Sequence, residues 1–294
     1  MYTYRPEDIV ALATPRGVGA LAVIRISGAD LSSTYKILSH KKPLDRRAVF
    51  SKIFHPDNNK MLDESVITYF KSPNSYTGED VIEISCHGGG VVADAIIQAA
   101  IVGGARIALP GEFSMRAFLN GKIDLVQAEA IATLITSRTQ LSADISLFHL
   151  RGGTSEKLAE IKRLSTNMLA IIEHELNFSE DEINFTTHEE IRKQIGSIKL
   201  KIHEIIKSSV FGRYIHSGVR VVLIGKPNSG KSSLFNSILG HERAIVSDEP
   251  GTTRDTIESW IELAGLSVCL VDTAGIWESE SVLENLGIEK TFEE

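Results

Sequence analysis

The sequence has few cysteines, no long apolar run and no excess of positive charge, and each absence excludes a class of protein. Cys86 and Cys269 lie far apart without Cys-x-x-Cys spacing, which argues against a disulfide scaffold and a zinc site. No apolar run reaches the length of about eighteen residues that indicates a transmembrane helix. The formal net charge of -7 gives no overall attraction for nucleic acid, so RNA binding would need a local basic patch or a partner.

The amino-terminal stretch does not resemble a secretory signal. In 1-MYTYRPEDIVALATPRG-17, acidic residues come before any sustained apolar run. We therefore expect a cytoplasmic protein with no membrane association. The chain has 294 residues, 43% of them hydrophobic, which is typical of a globular protein with two or three cores.

Residues 1–118 are predicted to form a mixed α+β domain. Strand-like apolar runs occur at 20–28, 65–70 and 81–90, the last ending at three glycines. The small apolar residues of 91–104, which close on a glycine pair, predict a helix.

Residues 119–214 have the periodicity of a helical bundle. Helices are predicted at 156–178 and 189–210, with a third over 125–150. Thr187 and Glu190 have the spacing of a capping box at the start of the second helix. We interpret the apolar stripes of the first two helices as core packing; they are Leu158, Ile161, Leu164, Met168, Ile171, Ile172 and Leu176, then Ile191, Ile195, Ile198, Ile202, Ile205 and Ile206.

Residues 215–294 begin like a nucleotide-binding domain. The run 219–225 predicts a strand buried on both faces of a parallel sheet. It leads into 225-GKPNSGKS-232 and then the amphipathic 232–240, the strand–loop–helix context that a phosphate-binding loop requires. Lys231 would reach the β and γ phosphates, and Ser232 would offer its hydroxyl to Mg²⁺.

Two further segments favour a GTPase over a general ATPase. The strand-like 268–272 runs into Asp-x-x-Gly, where Asp272 can hold Mg²⁺ through water and the Gly275 N–H can bond the γ phosphate. Between the two motifs lies the polar segment 251-GTTRD-255, in which Thr252 or Thr253 should complete the Mg²⁺ shell.

The residue that orients the attacking water is not evident from the motifs alone. Many switch GTPases carry Gln directly after Asp-x-x-Gly, but this chain has Ile276, which cannot align water. Arg254 lies near the switch threonines, although no obvious arginine finger is present. The carboxylates that remain as candidates are Glu278, Glu280, Glu284 and Glu289.

The sequence resembles the tRNA modification GTPase family known as MnmE or TrmE along its whole length. The stretches that carry the resemblance are 14-TPRGVGALAVIRISG-28, 75-SYTGEDVIEISCHGGG-90, 110-PGEFSMRAFLNGKIDLVQAEAIA-132, 177-NFSEDEINF-185, 225-GKPNSGKSSLFN-236, 251-GTTRD-255 and 272-DTAG-275. The resemblance implies a multidomain α/β protein: a folate-binding amino-terminal domain that pairs two subunits, and a helical domain interrupted by a P-loop GTPase domain.

The same resemblance implies substrates and partners. Family members modify C5 of the wobble uridine in certain tRNAs with a carboxymethylaminomethyl group, using a tetrahydrofolate one-carbon donor and an FAD-dependent partner protein. The donor would be 5-formyl- or 5,10-methylenetetrahydrofolate. Its pocket in the family maps onto Arg25, Glu83 and Lys122 of this sequence.

For the nucleotide site, the resemblance implies K⁺ as well as GTP or GDP and Mg²⁺. Asn228, Ser247, Glu249 and Thr252 map onto K⁺ ligands, and this cation would replace an arginine finger. Ser232 and Thr253 would hold Mg²⁺, and Glu284, Lys231 and Arg254 would act in catalysis. The full set of nucleotide- and ion-binding positions is Asn228, Ser229, Gly230, Lys231, Ser232, Ser233, Ser247, Glu249, Thr252, Thr253, Asp272, Thr273, Ala274 and Gly275.

Two family features are absent from the sequence: an Asn-Lys-x-Asp segment to read guanine, and a carboxy-terminal helical section that ends in Cys-x-Gly-Lys. We therefore expect a truncated GTPase domain. Two alternatives stay open. One is a nucleotide-dependent assembly switch of the ribosome-associated kind, and the other is a dimerising folate-binding module whose GTPase domain is impaired.

Overall fold

The computed structural model describes residues 7–177, 186–224, 230–241, 243–244 and 257–272. The chain divides into two compact units, Met1–Ala128 and Glu129–Glu294. The two units are described separately below. The three domains predicted from the sequence remain predictions.

From residue 7 onward, the described part of the first unit forms a six-stranded sheet with three helices. The strand order is β3-β4-β5-β2-β1-β6, and all pairs are antiparallel except β1 with β6. The strands are β1 Ile9–Leu12, β2 Leu21–Gly28, β3 Ala48–Phe54, β4 Met61–Phe70, β5 Asp80–His87 and β6 Arg106–Ile107, and the helices are α1 Ser32–Ser39, α2 Gly90–Val102 and α3 Glu112–Leu119.

The core of this unit lies on one face of the sheet. Side chains alternate along a strand, so every second residue of β2 and β5 points to the same side. Ile24, Ile26, Ile82 and Ile84 are fully buried in a cluster that also contains residues of α1 and α2. The predicted strands 20–28, 65–70 and 81–90 and the helix 91–104 are confirmed as β2, part of β4, β5 and α2.

The described residues of the second unit form five helices and a four-stranded sheet. Its sheet has the order β7-β10-β9-β8, with β7 parallel to β10 and the other pairs antiparallel. The helices are α4 Leu125–Ile135, which begins just before the division, α5 Gln140–Leu150, α6 Gly153–Leu176, α7 His188–Ser217 and α8 Lys231–His241. The strands are β7 Val219–Leu223, β8 Arg243–Ala244, β9 Ile257–Leu263 and β10 Leu266–Asp272.

The prediction of one helix over 125–150 is wrong, because the chain breaks between α4 and α5. The Ser137 hydroxyl donates to the Thr133 carbonyl at 2.8 Å, which satisfies that carbonyl at the end of α4. Thr139 then takes an extended backbone, and its hydroxyl accepts the Ser142 N–H at 3.2 Å. Thr139 is therefore the N-cap of a new helix.

The predicted capping box is confirmed, but the apolar stripes of α6 and α7 are only partly covered. Thr187 accepts the Glu190 N–H, and the Glu190 side chain accepts the Thr187 N–H. Ile191, Ile198 and Ile205 are half-buried, and no residue of α6 is fully buried. The stripe residues that remain exposed are Leu158, Leu176, Ile195, Ile202 and Ile206.

The parallel pairing predicted for the strand after 218 is confirmed, but its burial on both faces is not. Val221 of β7 is 38% exposed, since β7 is the edge strand of the described sheet and lies beside β10 alone. The predicted helix after the phosphate-binding motif is confirmed as α8. Among the described residues, no helix is both long enough and apolar enough to cross a bilayer.

The β9–β10 hairpin packs against the turn between α4 and α5. The Arg138 guanidinium lies 3.9 Å from the centre of the Trp260 ring. Gly218, between α7 and β7, has a φ of +74°, and a Cβ there would lie 2.7 Å from Trp260 Cζ3. Only glycine therefore suits the junction between this helix and this strand.

Gly88 and Gly90 give a matched test of close packing in the first unit. A Cβ at Gly88 would lie 2.1 Å from the Gly19 carbonyl oxygen, whereas a Cβ at Gly90 would meet nothing within 4 Å. We expect Gly88→Ala to destabilise the unit by about 1–3 kcal/mol through overpacking. Gly90→Ala should be neutral or slightly stabilising. Hydrogen exchange of the β2 and β5 amides measures the stability of both variants. Equal protection in the two would contradict the close approach of Gly88 to the Gly19 carbonyl.

Candidate functional site

The sheet face opposite the core carries polar side chains at its centre. The strand register places Ala48, Thr68, Glu83, Arg25 and Ala11 in one row across five strands. Arg25 and Glu83 are therefore direct neighbours on β2 and β5, on the face away from the isoleucine core. Their charged groups stand on rigid strands rather than on loops.

Arg25 and Glu83 form a half-buried ion pair. Arg25 Nε and Nη2 donate to Glu83 Oε1 at 2.9 and 2.6 Å. The two side chains are 28% and 29% exposed. Both bonds end on Oε1. Among the described residues no donor is bonded to Oε2, so this oxygen can accept a hydrogen bond from a ligand.

Two aromatic rings flank the arginine. The Arg25 guanidinium lies 5.3 Å from the centre of the Tyr76 ring and 5.8 Å from that of Phe113. The Tyr76 and Ser114 hydroxyls are hydrogen-bonded at 2.8 Å, which ties the loop before β5 to α3. The arrangement offers a cation, a carboxylate oxygen and two ring faces to a flat polar ligand.

The third predicted folate residue, Lys122, follows α3 and contacts the loop before β5, but it is not in the ion pair. Its Nζ donates to the Pro73 carbonyl at 3.0 Å, and a Cβ at Gly78 would lie 3.2 Å from Lys122 Cγ. The loop 73–78 therefore contacts Lys122 through Pro73 and Gly78, and it contacts Arg25 through Tyr76. The structure brings Arg25 and Glu83 together and places Lys122 against the loop beside them.

A buried polar network adjoins the ion pair on the same side of β2. Arg116 is fully buried, and its Nη1 donates to Glu79 at 2.9 Å while its Nη2 donates to Glu112 at 3.1 Å and to the Glu7 carbonyl at 2.7 Å. Ser27, two residues after Arg25, donates to Glu79 at 2.9 Å. The network joins β2, the loop before β5 and α3.

Glu112 is the carboxylate on which the network converges. Hydrogen bonds from Arg106 lower the pKa of Glu112 to about 2, and the Leu109 N–H and Arg116 act in the same direction although burial opposes them. Glu112 is therefore ionised under all ordinary conditions. Nearby, burial raises the pKa of Asp8.

Several residues around this face were not predicted from the sequence. Tyr76, Phe113, Glu79, Glu112 and Arg116 all lie within the two stretches 75–90 and 110–132 that carry the family resemblance. The alternation of strand residues gives no information about them, because they belong to a loop and to α3. The dense polar residues of 76-YTGED-80 and 112-EFSMR-116 were the available signal.

A second candidate site lies at one edge of the four-stranded sheet. β7 and β10 are parallel neighbours, and Asp272 is paired with Leu223 in their register. The carboxyl ends of both strands therefore meet at one edge, so the segments that follow them start side by side. The phosphate-binding motif follows β7, and Asp-x-x-Gly begins with Asp272.

The described part of the phosphate-binding motif has the geometry of a helix start. Gly230 has a φ of +87°, which glycine adopts without strain. The Leu234 N–H donates to the Gly230 carbonyl at 2.9 Å as the first turn of α8. The start of a helix leaves its first N–H groups outside the intrahelical hydrogen bonds, and such groups can bind an anion.

Most of the predicted nucleotide and ion ligands lie outside the described residues. Gly230, Lys231, Ser233 and the backbones of Ser232 and Asp272 are described. The residues outside the described ranges are Asn228, Ser229, Ser247, Glu249, Thr252, Thr253, Arg254, Thr273, Ala274, Gly275 and Glu284, together with the other water-orienting candidates Glu278, Glu280 and Glu289.

Two family models match the chain. The model described as the GTP-binding protein TrmE N-terminus matches residues 8–122. The model described as the MnmE helical domain matches residues 125–291, more than half of the 294 residues.

Curated relatives match nearly all of the chain. The tRNA modification GTPase MnmE of Flavobacterium johnsoniae is 45% identical over 292 residues, which cover 98% of this chain and 63% of the relative. The proteins of the same name from Aquifex aeolicus and Caldicellulosiruptor saccharolyticus are 40% and 42% identical, over 97% of this chain and 64% of each relative. The chain therefore spans a little under two thirds of the length of these relatives.

The low pKa of Glu112 predicts how stability should depend on pH. A carboxylate whose pKa falls from 4.5 to about 2 on folding stabilises the folded state above pH 4.5, and this contribution is lost as the pH falls towards 2. For a shift of this size we expect Glu112→Gln to cost roughly 3 kcal/mol at pH 7. The difference from the parent should shrink progressively between pH 4.5 and pH 2.

Hydrogen exchange of the β2 and β5 amides at a series of pH values measures this effect. Glu64→Gln is the matched control, because Glu64 is an exposed carboxylate whose ion pair with Lys52 spans 3.9 Å. That control should change protection little at any pH. A pH-independent loss in Glu112→Gln would contradict the charge-based account.

Proposed function

The chain belongs to the MnmE family of tRNA modification GTPases, and from this premise we propose that it is a GTP-hydrolysing component of tRNA modification. The reaction we propose is attachment of a carboxymethylaminomethyl group at C5 of the wobble uridine. We further propose that a tetrahydrofolate derivative supplies the one-carbon unit and that an FAD-dependent protein is the partner.

The single observation that carries the GTPase proposal is the register of β7 and β10. Leu223 and Asp272 are paired in a parallel ladder, so the phosphate-binding motif and Asp-x-x-Gly start at the same sheet edge. A phosphate group bound by the N–H groups at the start of α8 would then lie near the segment that begins with Asp272. This convergence supports a nucleotide site built from both motifs.

The roles proposed for individual residues follow from their chemistry. Lys231, at the first position of α8, would neutralise the β and γ phosphates. Ser232 and Thr253 would hold Mg²⁺, whereas Asn228, Ser247, Glu249 and Thr252 would hold K⁺. Glu284 would orient the attacking water. Bound K⁺ would supply the positive charge that other GTPases obtain from an arginine.

The Arg25–Glu83 face fits a reduced folate. Glu83 Oε2 can accept a hydrogen bond from an amino group of the pterin, and the Tyr76 and Phe113 rings offer faces for a flat heterocycle. Arg25 and Lys122 are cations suited to the glutamate carboxylates. These residues would bind and orient the donor, and the folate would supply the transferable carbon.

The amino-terminal domain is proposed to pair two copies of the protein. The proposal rests on the family resemblance alone. A pair of subunits would bring two nucleotide sites into one assembly, where K⁺ would promote their association.

GTP turnover by the complete protein tests the role of K⁺. We expect turnover in KCl to exceed turnover in NaCl by at least about tenfold, because K⁺ would stabilise the charge that develops on the phosphates. Asn228→Ala should abolish the difference without abolishing nucleotide binding. Equal rates of the parent in the two salts would overturn this part of the proposal.

Titration with 5-formyltetrahydrofolate tests the folate site. We expect Arg25→Ala to weaken binding by at least about tenfold, since it removes a charged hydrogen-bond donor worth about 1.5–3 kcal/mol. Arg47→Ala is the matched control, because Arg47 is exposed and adjoins β3, three strands away from Arg25 on β2. Stable association with ribosomal subunits, together with no folate binding, would instead favour an assembly switch.

A further inference from the structure

Helix α7 carries a local excess of positive charge in an acidic chain. Between Arg192 and Lys207 there are five lysines and arginines and a single acidic residue, Glu204, whereas the whole chain has a net charge of -7. An excess of this kind on a helix is often no more than a solvated surface. The lysines and arginines form a binding surface only if they lie on the same face of the helix.

Four of these five lysines and arginines lie on or beside one face of α7. With about 100° of rotation per residue, Arg192, Lys199, His203 and Lys207 lie within about 80° of one another, and Lys193 flanks them. All five side chains are exposed. We call these five residues the basic face of α7. It extends about 22 Å from Arg192 to Lys207 at 1.5 Å per residue.

The basic face points away from α6. Lys201, on the opposite side of α7, forms an ion pair with Glu160 of α6 at 3.1 Å. Ile198 and Ile205, on that same side, are half-buried. The contacts with α6 therefore use the apolar side of α7 and leave the basic face towards solvent.

The charges of the basic face are not neutralised by the described part of the chain. Within the described ranges, none of its four lysines and arginines is in an ion pair, while Lys201 is. Four cations held in a row on a rigid helix at about 22 Å span match a polyanion whose charges are also spaced in a row.

The surroundings of the face favour RNA over a membrane surface. A helix that lies in a membrane inserts its whole apolar side, but in α7 Ile198 and Ile205 are half-buried on the side that contacts α6, and only Ile195, Ile202 and Ile206 of the stripe are exposed. Tyr214 lies near the line of the basic face and is 52% exposed, which gives an aromatic ring on which an unpaired base can stack.

We propose that the basic face of α7 binds the phosphate backbone of the RNA substrate. The inference rests on the proposed function, which supplies an RNA, and adds the surface that contacts it. Arg192, Lys199 and Lys207 contact phosphates, Lys193 contributes charge at the flank, and Tyr214 stacks on an exposed base. Such contacts position the RNA without reading its sequence.

Salt dependence gives a quantitative expectation. Neutralisation of four phosphates by the three contacting residues and Lys193 implies a slope of about -3 to -4 in a plot of log affinity against log salt concentration. Binding should therefore weaken roughly 50- to 150-fold between 50 and 200 mM KCl. The probe is a fluorescently labelled, unmodified tRNA transcript, titrated with the 294-residue chain.

The decisive variant reverses three charges: Arg192→Glu, Lys199→Glu and Lys207→Glu. The matched control reverses three exposed cations of the first unit: Lys42→Glu, Arg47→Glu and Lys60→Glu. Both variants change the net charge equally, so only position differs. We expect the α7 variant to bind the transcript at least about tenfold more weakly and to lose about 2 to 3 from the salt slope, while the control binds like the parent.

Lys199→Gln is a milder variant that tests the proposal even if the triple variant does not fold. It should reduce the salt slope by about 1 with unchanged circular dichroism and melting temperature. Equal losses in the α7 and control variants, no loss in either, or no binding by the parent would overturn the proposal. So would α7-dependent binding to anionic phosphatidylserine vesicles without binding to the transcript.

The same variants separate this proposal from the proposed function. GTP turnover in KCl, measured on the complete protein, does not require the basic face to be correctly assigned. If turnover is K⁺-dependent and the α7 variant still binds the transcript, the surface is wrong and the function stands. If turnover shows no K⁺ dependence while the α7 variant loses RNA binding, the proposed K⁺-dependent GTPase activity is wrong and the RNA-binding surface stands.

Discussion

The guanidinium of Arg116 is the constraint on which the first unit depends. An arginine without solvent must have its charge balanced and its N–H groups bonded, and here the balance comes from Glu79 and Glu112 and from the Glu7 carbonyl. These partners belong to the start of the described chain, the loop before β5 and α3. Three segments that are distant in sequence are thus held at one point.

The Arg25–Glu83 pair depends on that point. Ser27 continues β2 two residues beyond Arg25 and donates to Glu79, which also accepts from Arg116. Tyr76 and Phe113, the rings beside Arg25, lie on the loop and the helix that the network joins. The Arg25–Glu83 pair therefore adjoins a buried, hydrogen-bonded network on the same side of β2, which limits how far the ligand-facing groups can move.

The sequence predicted the elements of the first unit better than their pairing. Alternating apolar residues identify β2 and β5 because the alternation is local. The neighbourhood of Arg25 and Glu83 depends on a pairing between strands 58 residues apart, and no local pattern specifies it. Arg116 reads as an ordinary surface arginine of a short helix, since its burial is a tertiary effect. In the second unit, the break between α4 and α5 was visible in 136-TSRT-139, where hydroxyls compete with helical bonds.

Gly218 has a mechanical consequence for the second unit. Helix α7 has 30 residues and is therefore about 45 Å long, and it passes into β7 through this one glycine, which packs on Trp260. The helix and the first strand of the sheet are thus joined without slack. Because of its length, α7 acts as a lever arm: each ten degrees of tilt about Gly218 would carry its far end about 8 Å. A small rearrangement at the sheet would become a large displacement at His188.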